Sequence, residues 1–292
     1  MKKASPALAG GLLLLGVFFW GVTFPVVKEA MRTLDVFSFL AFRFFAAGVL
    51  LFAMYYKKIV RCSKATIIKG IGIGALLALS FAAQTLGIKY TTVSNAAFIT
   101  GLYIIVVPAV VAILDKRAPG GAQTLSVIMA LAGLTILTFT LPFSLNAGDW
   151  WTLLCAFTFG LHVVSMGRMM GDVDAEAFSA IQAMTVAILC GVAGIFSTGG
   201  LDFAAGAASW KAILFCAVLG SAFTFTVQAR YQRSISEISA AVIFSAEPLF
   251  AAIVANFYPG INEPLTARTL IGGLLICAAM AVSGAKTAKT RK

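Results

Sequence analysis

The chain has 292 residues, 60% of them hydrophobic and only 11% charged, with mean hydropathy +0.97. A soluble domain carries about a quarter charged residues, so this composition excludes a water-surrounded globule. It also moves the net charge of +11 from a nucleic-acid reading to a membrane-surface one.

Ten apolar segments follow one another at about 7–27, 36–56, 70–87, 95–114, 124–141, 150–168, 178–197, 210–227, 239–258 and 267–284. Most reach the roughly twenty residues that cross a hydrocarbon core of about 30 Å, and they leave no room for a soluble domain. The first follows Lys2-Lys3 but continues into Trp20-Gly21-Val22-Thr23-Phe24-Pro25 instead of a small-residue cleavage site, so it reads as a retained helix. In the third, Gly70, Gly72 and Gly74 follow no strand and precede no Lys-Ser/Thr, which marks close packing and not a phosphate loop. Pro25, Pro108 and Pro248 fall in the first, fourth and ninth segments and are expected to be hinges. Trp150, Trp151 and Trp210 sit at segment ends, where tryptophan anchors a helix to the interface. Cys155, Cys190, Cys216 and Cys277 lie inside apolar segments and Cys62 in a loop. With one histidine and no nearby cysteine, neither a disulfide framework nor a metal or other cofactor is expected.

With the start of the chain inside, one face collects Lys2, Lys3, Lys57, Lys58, Arg61, Lys64, Lys69, Lys116, Arg117, Arg168, Arg230, Arg233, Lys286, Lys289, Arg291 and Lys292. The other holds Lys28, Arg32, Lys89, Lys211 and Arg268. That bias places both termini in the cytoplasm, and Asp172, Asp174 and Glu176 count little against it.

The last five segments repeat the first five. At an offset of about 139, Trp20-Gly21 matches Phe159-Gly160, Thr23 matches His162, Asp35 matches Asp174 and Arg43 matches Gln182. At about 144, Ser80 matches Thr224, Phe81 matches Phe225, Gln84 matches Gln228, Asn95 matches Ser239 and Tyr103 matches Glu247. Thr124-Leu125 and Thr269-Leu270 open the fifth and tenth segments. Five is odd, so the two repeats, 1–141 and 142–292, must be inverted in the bilayer. The expected fold is an all-α integral membrane protein of ten helices in two inverted five-helix repeats, the usual construction of a secondary transporter.

Polar residues inside membrane segments face the protein interior or a water-filled cavity. Ser80 and Gln84 share a helix side, as do Thr224 and Gln228. Asn95 with Tyr103, and Ser239 with Glu247, lie eight apart and again share a side. The expected substrate pathway is Trp20, Thr23, Arg43, Ser80, Gln84, Asn95, Tyr103, His162, Thr224, Gln228 and Glu247. Glu247 stands roughly 12 Å into its segment, where a charged side chain costs about 2.5–3.5 kcal/mol to insert. It is the candidate for proton coupling; the competing reading is a packing carboxyl beside Pro248. Arg43 would attract a carboxylate or pair with Glu247, or else cap backbone carbonyls. His162 and the amides have interhelical bonding as their plain alternative. Of the aromatics Trp20, Phe24, Phe81, Phe98, Phe225 and Phe244, Trp20 is the one expected to line a pathway.

Phe19-Trp20-Gly21-Val22-Thr23-Phe24, the run from Lys89 to Tyr103 (KYTTVSNAAFITGLY) and the run from Ala240 to Ala251 (AAVIFSAEPLFA) together resemble the bacterial EamA-type permeases of the drug/metabolite transporter superfamily. The resemblance spans almost the whole chain. It implies a basket of ten helices around a central cavity, alternating access, an inner-membrane location and, most often, export of small metabolites. Where family members often carry Glu-Arg or Gly-Glu, this chain has Asp115-Lys116-Arg117 and Pro259-Gly260-Ile261-Asn262-Glu263. The expected partners are a small-molecule substrate, amino-acid-like or amphipathic, and the lipid bilayer, with no nucleic acid; the oligomeric state is left open. An intramembrane enzyme would want a nucleophile beside a base, and a channel rings of like residues. Neither pattern is present, so a non-enzymatic carrier is the expectation.

Overall fold

The computed structural model describes residues 4–138, 146–171, 173–261 and 263–287. Lys2, Lys3, Asp172, Asn262, Lys289, Arg291, Lys292 and the expected join of the repeats at 141–142 lie outside the described residues. All regular structure among the described residues is helical. The elements are α1 Pro6–Ala30, α2 Val36–Val60, α3 Lys64–Tyr90, α4 Val93–Gly101, α5 Tyr103–Asp115, α6 Gly121–Thr138, α7 Ala147–Met169 and α8 Ala175–Thr198. They continue with α9 Phe203–Ala208, α10 Trp210–Ala217, a π-helical turn Val218–Phe223, α11 Thr224–Tyr231, α12 Glu237–Phe244, α13 Glu247–Phe257 and α14 Ala267–Thr287.

Among the described residues nine spans are long and apolar enough to cross a membrane, and α6 is a shorter apolar helix. The end of the fifth expected segment, 139–141, runs past the described residues. The α4–α5 and α12–α13 pairs each make one span, as do α10 and α11 with the π-turn between them. The chain is therefore a multi-pass membrane protein.

Local chemistry sets the helix starts. Ser5 caps α1 through its hydroxyl, with Pro6 in the first turn where no N–H is needed. Asp35 accepts from the amides of Phe37 and Ser38 to open α2, and its repeat counterpart Asp174 accepts from Glu176 and Ala177 to open α8. Thr92 caps α4 by accepting from Asn95 N, and Ser236 caps α12 by accepting from Ser239 N. Asn95 and Ser239 therefore match because both stand in the first turn of a capped helix.

Packing joins early helices to late ones: α2 on α8, α3 on α7 and α8, α6 on α14, α1 on α13, and both α4 and α5 on α7. Gly70 and Gly74 let α3 lie against α8, where an added Cβ would meet Ile181 and Thr185 within 3 Å; Gly72 faces open space. Trp150, Trp151 and Trp210 are exposed at helix starts, as interfacial anchors would be.

The expected hinges are placed differently. Pro25 and Pro108 lie inside α1 and α5. The interruptions of the fourth and ninth spans fall at Leu102 and at Ser245–Ala246, and Pro248 sits in the first turn of α13. Proline is tolerated there because its missing N–H would have had no helical partner.

Candidate functional site

Tyr103 and Glu247, a matched pair in the repeat, are each the first residue of a new half-helix after a break. Both lie at the middle of their spans. Between them is a cavity of about 20 Å³, room for about one water molecule. Trp20 and Thr23 of α1, Gln84 of α3, Gln228 of α11, Tyr103 and Glu247 all line it. Thr100, Phe81, Phe159, Val163 and Phe244 complete the wall. The carboxylate of Glu247 makes no ion pair with any described residue, and no lysine or arginine lines the cavity.

Trp20 is held from both sides. Its ring meets Phe225 and Phe244 at centroid distances of 5.5 Å each, and its Nε1 donates to Gly220 O at 3.0 Å. That carbonyl belongs to the π-turn, whose extra residue disturbs the usual ladder. Replacing Trp20 by Phe keeps an aromatic ring and removes the donor. We expect a loss of about 1 kcal/mol, read as a lower melting temperature in detergent; an unchanged melt would mean that the bond contributes nothing.

Five expected pathway residues lie elsewhere. Arg43, 1% exposed, donates through Nε to Ser221 Oγ at 2.9 Å and through Nη2 to Gly220 O at 3.3 Å. Its guanidinium lies 4.7 Å from the Phe81 ring centroid and 5.2 Å from that of Phe44. Arg43 thus serves the π-turn and does not pair with Glu247. Ser80 donates to Leu76 O and Thr224 to Leu219 O, each satisfied by its own helix. Asn95 donates to Thr91 Oγ1 and to Asp149, near the end of the span. His162 lies between the edges of Phe159 and Phe225. Gln182 is its neighbour, but neither imidazole nitrogen completes a hydrogen bond.

Ion pairs and hydrogen bonds tie chain-distant segments together on both faces. On the basic face, Glu176 is buried and its Oε1 takes Lys58 at 3.1 Å and Arg230 at 3.4 Å. Arg168 reaches Asp115 at 2.7 Å and Glu237 at 3.6 Å. On the opposite face, Glu263 accepts from the amides of Val93 and Ser94 at 3.0 Å and from the Ser94 hydroxyl. Arg32 donates to Gly260 O at 3.0 Å, and Lys28 caps the end of α3 through Ile88 O, Lys89 O and Thr91 O. Asp149, wholly buried, closes a capping box with Asn146. Sequence reading passed over Thr100 and Asp149, although a carboxylate three residues after Asn146 is itself a capping signal.

Replacing Glu176 by Gln leaves Lys58 only its longer contact with Asp174, at 3.8 Å, and strands Arg230. Their side chains are 44% and 41% exposed and reach water, so the expected loss is about 1–2 kcal/mol rather than that of a fully buried pair. Chemical denaturation in mild detergent would measure it, and an unchanged midpoint would show that the tie is energetically idle.

The fold, with its small mid-span cavity, defines a polytopic membrane protein. The EamA-like transporter family matches the chain twice, over residues 8–139 and 146–285. A relative from Archaeoglobus fulgidus, named an uncharacterized transporter, is 27% identical over 274 residues, 92% of this chain and 83% of its own length. A second from the same organism, also named an uncharacterized transporter, is 25% identical over 283 residues, 94% and 96% of the two lengths. A protein of known crystal structure superposes with TM-score 0.77 over 100% of both chains at 16% identity, a likeness of fold alone. The chain belongs to the EamA-like transporter family and is a membrane transporter.

Proposed function

We propose that the protein is a secondary transporter of small organic molecules, an exporter working by alternating access and coupled to protons through Glu247. The observation that carries this reading is the cavity between two half-helix starts, with the matched residues Tyr103 and Glu247 at those starts. Interrupted helices in corresponding positions mark the substrate site of carriers built from inverted repeats. In this reading ten helices form two inverted five-helix repeats, 1–141 and 142–292, and α6 and α14 are the counterparts that pack together. The ties at both faces correspond to an occluded state, and opening one set at a time is alternating access. Both termini face the cytoplasm of a bacterial inner membrane, with the basic face inward.

Glu247 is the one charged side chain on the cavity wall among the described residues. A proton or a substrate neutralises it, and exchange between the two gives antiport. The test is uptake into proteoliposomes of a labelled panel of amines, amino acids and organic anions, with and without an imposed pH gradient. Gradient-driven accumulation of at least one member is the expected result; no flux of any member would overturn the reading.

A further inference from the structure

We infer that the central cavity binds a protonated primary or secondary amine, whose N–H groups are donated to the Glu247 carboxylate and to Gln228 Oε1. This deepens the transporter reading above and rests on it.

The argument is an inventory of donors and acceptors. Val163 O is a backbone carbonyl and can only accept, so Gln232, which reaches it at 2.6 Å, must present Nε2 there. The Gln232 Oε1 is then turned toward Gln228, at 2.8 Å, so Gln228 must donate its own Nε2. This relay leaves Gln228 Oε1 buried, unpartnered and acceptor-only at the cavity. Tyr103 Oη is likewise buried without a partner, and Glu247 adds two carboxylate oxygens.

Two of the donors on the wall, by contrast, are committed. Trp20 Nε1 is spent on Gly220 O and Thr23 Oγ1 on Trp20 O. Arg43, the cation behind Phe81, spends Nε and Nη2 on Ser221 and Gly220. The Gln84 amide, the Tyr103 and Thr100 hydroxyls and the second N–H of Gln228 retain donors. The Glu247 carboxylate, without an ion pair among the described residues, shares the cavity with the unpartnered, acceptor-only Gln228 Oε1, and together they select a cation that carries N–H groups. A carboxylate would leave those acceptors unpaired, and buried unpaired polar groups discriminate strongly. Aromatic walls from Trp20, Phe159 and Phe244 suit a partly desolvated ammonium. The cavity as it stands holds about one water, so bound amine requires side chains to part.

The test compares 2-phenylethylammonium, its N,N,N-trimethyl analogue and 3-phenylpropionate, by calorimetric titration of the detergent-solubilised protein. The primary ammonium is expected to bind, the trimethyl analogue about tenfold or more weaker for loss of its charge-assisted hydrogen bonds, and the carboxylate not at all. Gln228→Met should erase the preference for the primary over the trimethyl cation. Gln232→Met, which touches no ligand but frees the Gln228 amide to rotate, should reduce the same preference. A general loss of fold would instead weaken both cations together, and the melting temperature of each variant tells the two apart. Equal affinity for the two cations, a preference unchanged in both variants, or binding of 3-phenylpropionate alone overturns the amine assignment and leaves the transporter reading standing. Failure of all three probes also overturns it. The transporter reading falls only if the wider labelled panel shows no flux either.

Discussion

Glu247→Gln should abolish pH-gradient-driven accumulation while leaving the protein folded. The substitution keeps size and shape and removes the one charge on the cavity wall among the described residues. No described residue forms an ion pair with the carboxylate, so no cation is stranded by its loss. At an effective dielectric near 20, a cation about 4 Å from the carboxylate gains about 4 kcal/mol. Losing even part of that lowers flux of a cationic substrate by about a hundredfold or more. Initial uptake rates in proteoliposomes, with melting temperature as the control for fold, make the measurement. Wild-type accumulation in the variant would assign Glu247 to packing beside Pro248.

The second large effect is expected at the matched glycines. A Cβ at position 21 would stand 2.5 Å from Phe250 Cβ, 2.9 Å from Ala251 N and 3.0 Å from Glu247 O. These atoms belong to, or sit directly on, the backbone of α13, so no rotamer change relieves the clash. At Gly160 the obstacle is the Val106 side chain of α5, at 2.6 Å from its Cγ1. Each glycine thus seats the half-helix that begins with a matched cavity residue. Gly21→Ala and Gly160→Ala should each cost about 1–3 kcal/mol and reduce flux by shifting Glu247 or Tyr103. Adding Val106→Ala, which removes the Cγ1 contact but keeps Val106 Cβ at 2.8 Å, should restore Gly160→Ala in part, whereas no side-chain truncation should restore Gly21→Ala. Gly72→Ala, with nothing within 4 Å, serves as the control. Equal melting temperatures for Gly21→Ala and Gly72→Ala would contradict this account of the packing.

The spans were legible because hydrophobic length is a direct signal. The helix starts at Asp35, Thr92, Asp174 and Ser236 carry ordinary capping chemistry. Matching the rare polar positions brought Trp20, Thr23, Gln84, Tyr103, Gln228 and Glu247 to one cavity. The same method also collected Ser80 and Thr224, which bond their own helix backbones, and Asn95, which is part of a helix-end network. A polar residue in an apolar segment announces only that it needs a partner, and the partner of a hydroxyl is often the carbonyl one turn back.

The helix breaks fall away from the prolines for a physical reason. Proline breaks a helix interior, yet Pro248 opens a helix and Pro108 sits within one. The breaks themselves close with short turns, Leu102 N to Ile99 O at 3.1 Å and Ala246 N to Ile243 O at 3.2 Å. Ser245 adds a hydroxyl bond to Val242 O. The π-turn that engages Arg43 and Trp20 is 177 and 200 residues away in sequence from those partners, so no local pattern could reveal it.

The central claim is that one cavity is reached alternately from the two faces. Its most direct test places a single cysteine at Val163, an apolar position on the cavity wall, in a background freed of Cys62, Cys155, Cys190, Cys216 and Cys277. Membrane-impermeant thiol reagents are then applied from each face of oriented proteoliposomes. The basic face is either free or held shut by a bifunctional reagent joining added cysteines at Lys58 and Glu176. The account predicts labelling from both faces in the free protein. In the held protein it predicts labelling from the opposite face alone, with flux stopped. Flux that continues through the held protein, or labelling from the face that is held shut, would contradict alternating access.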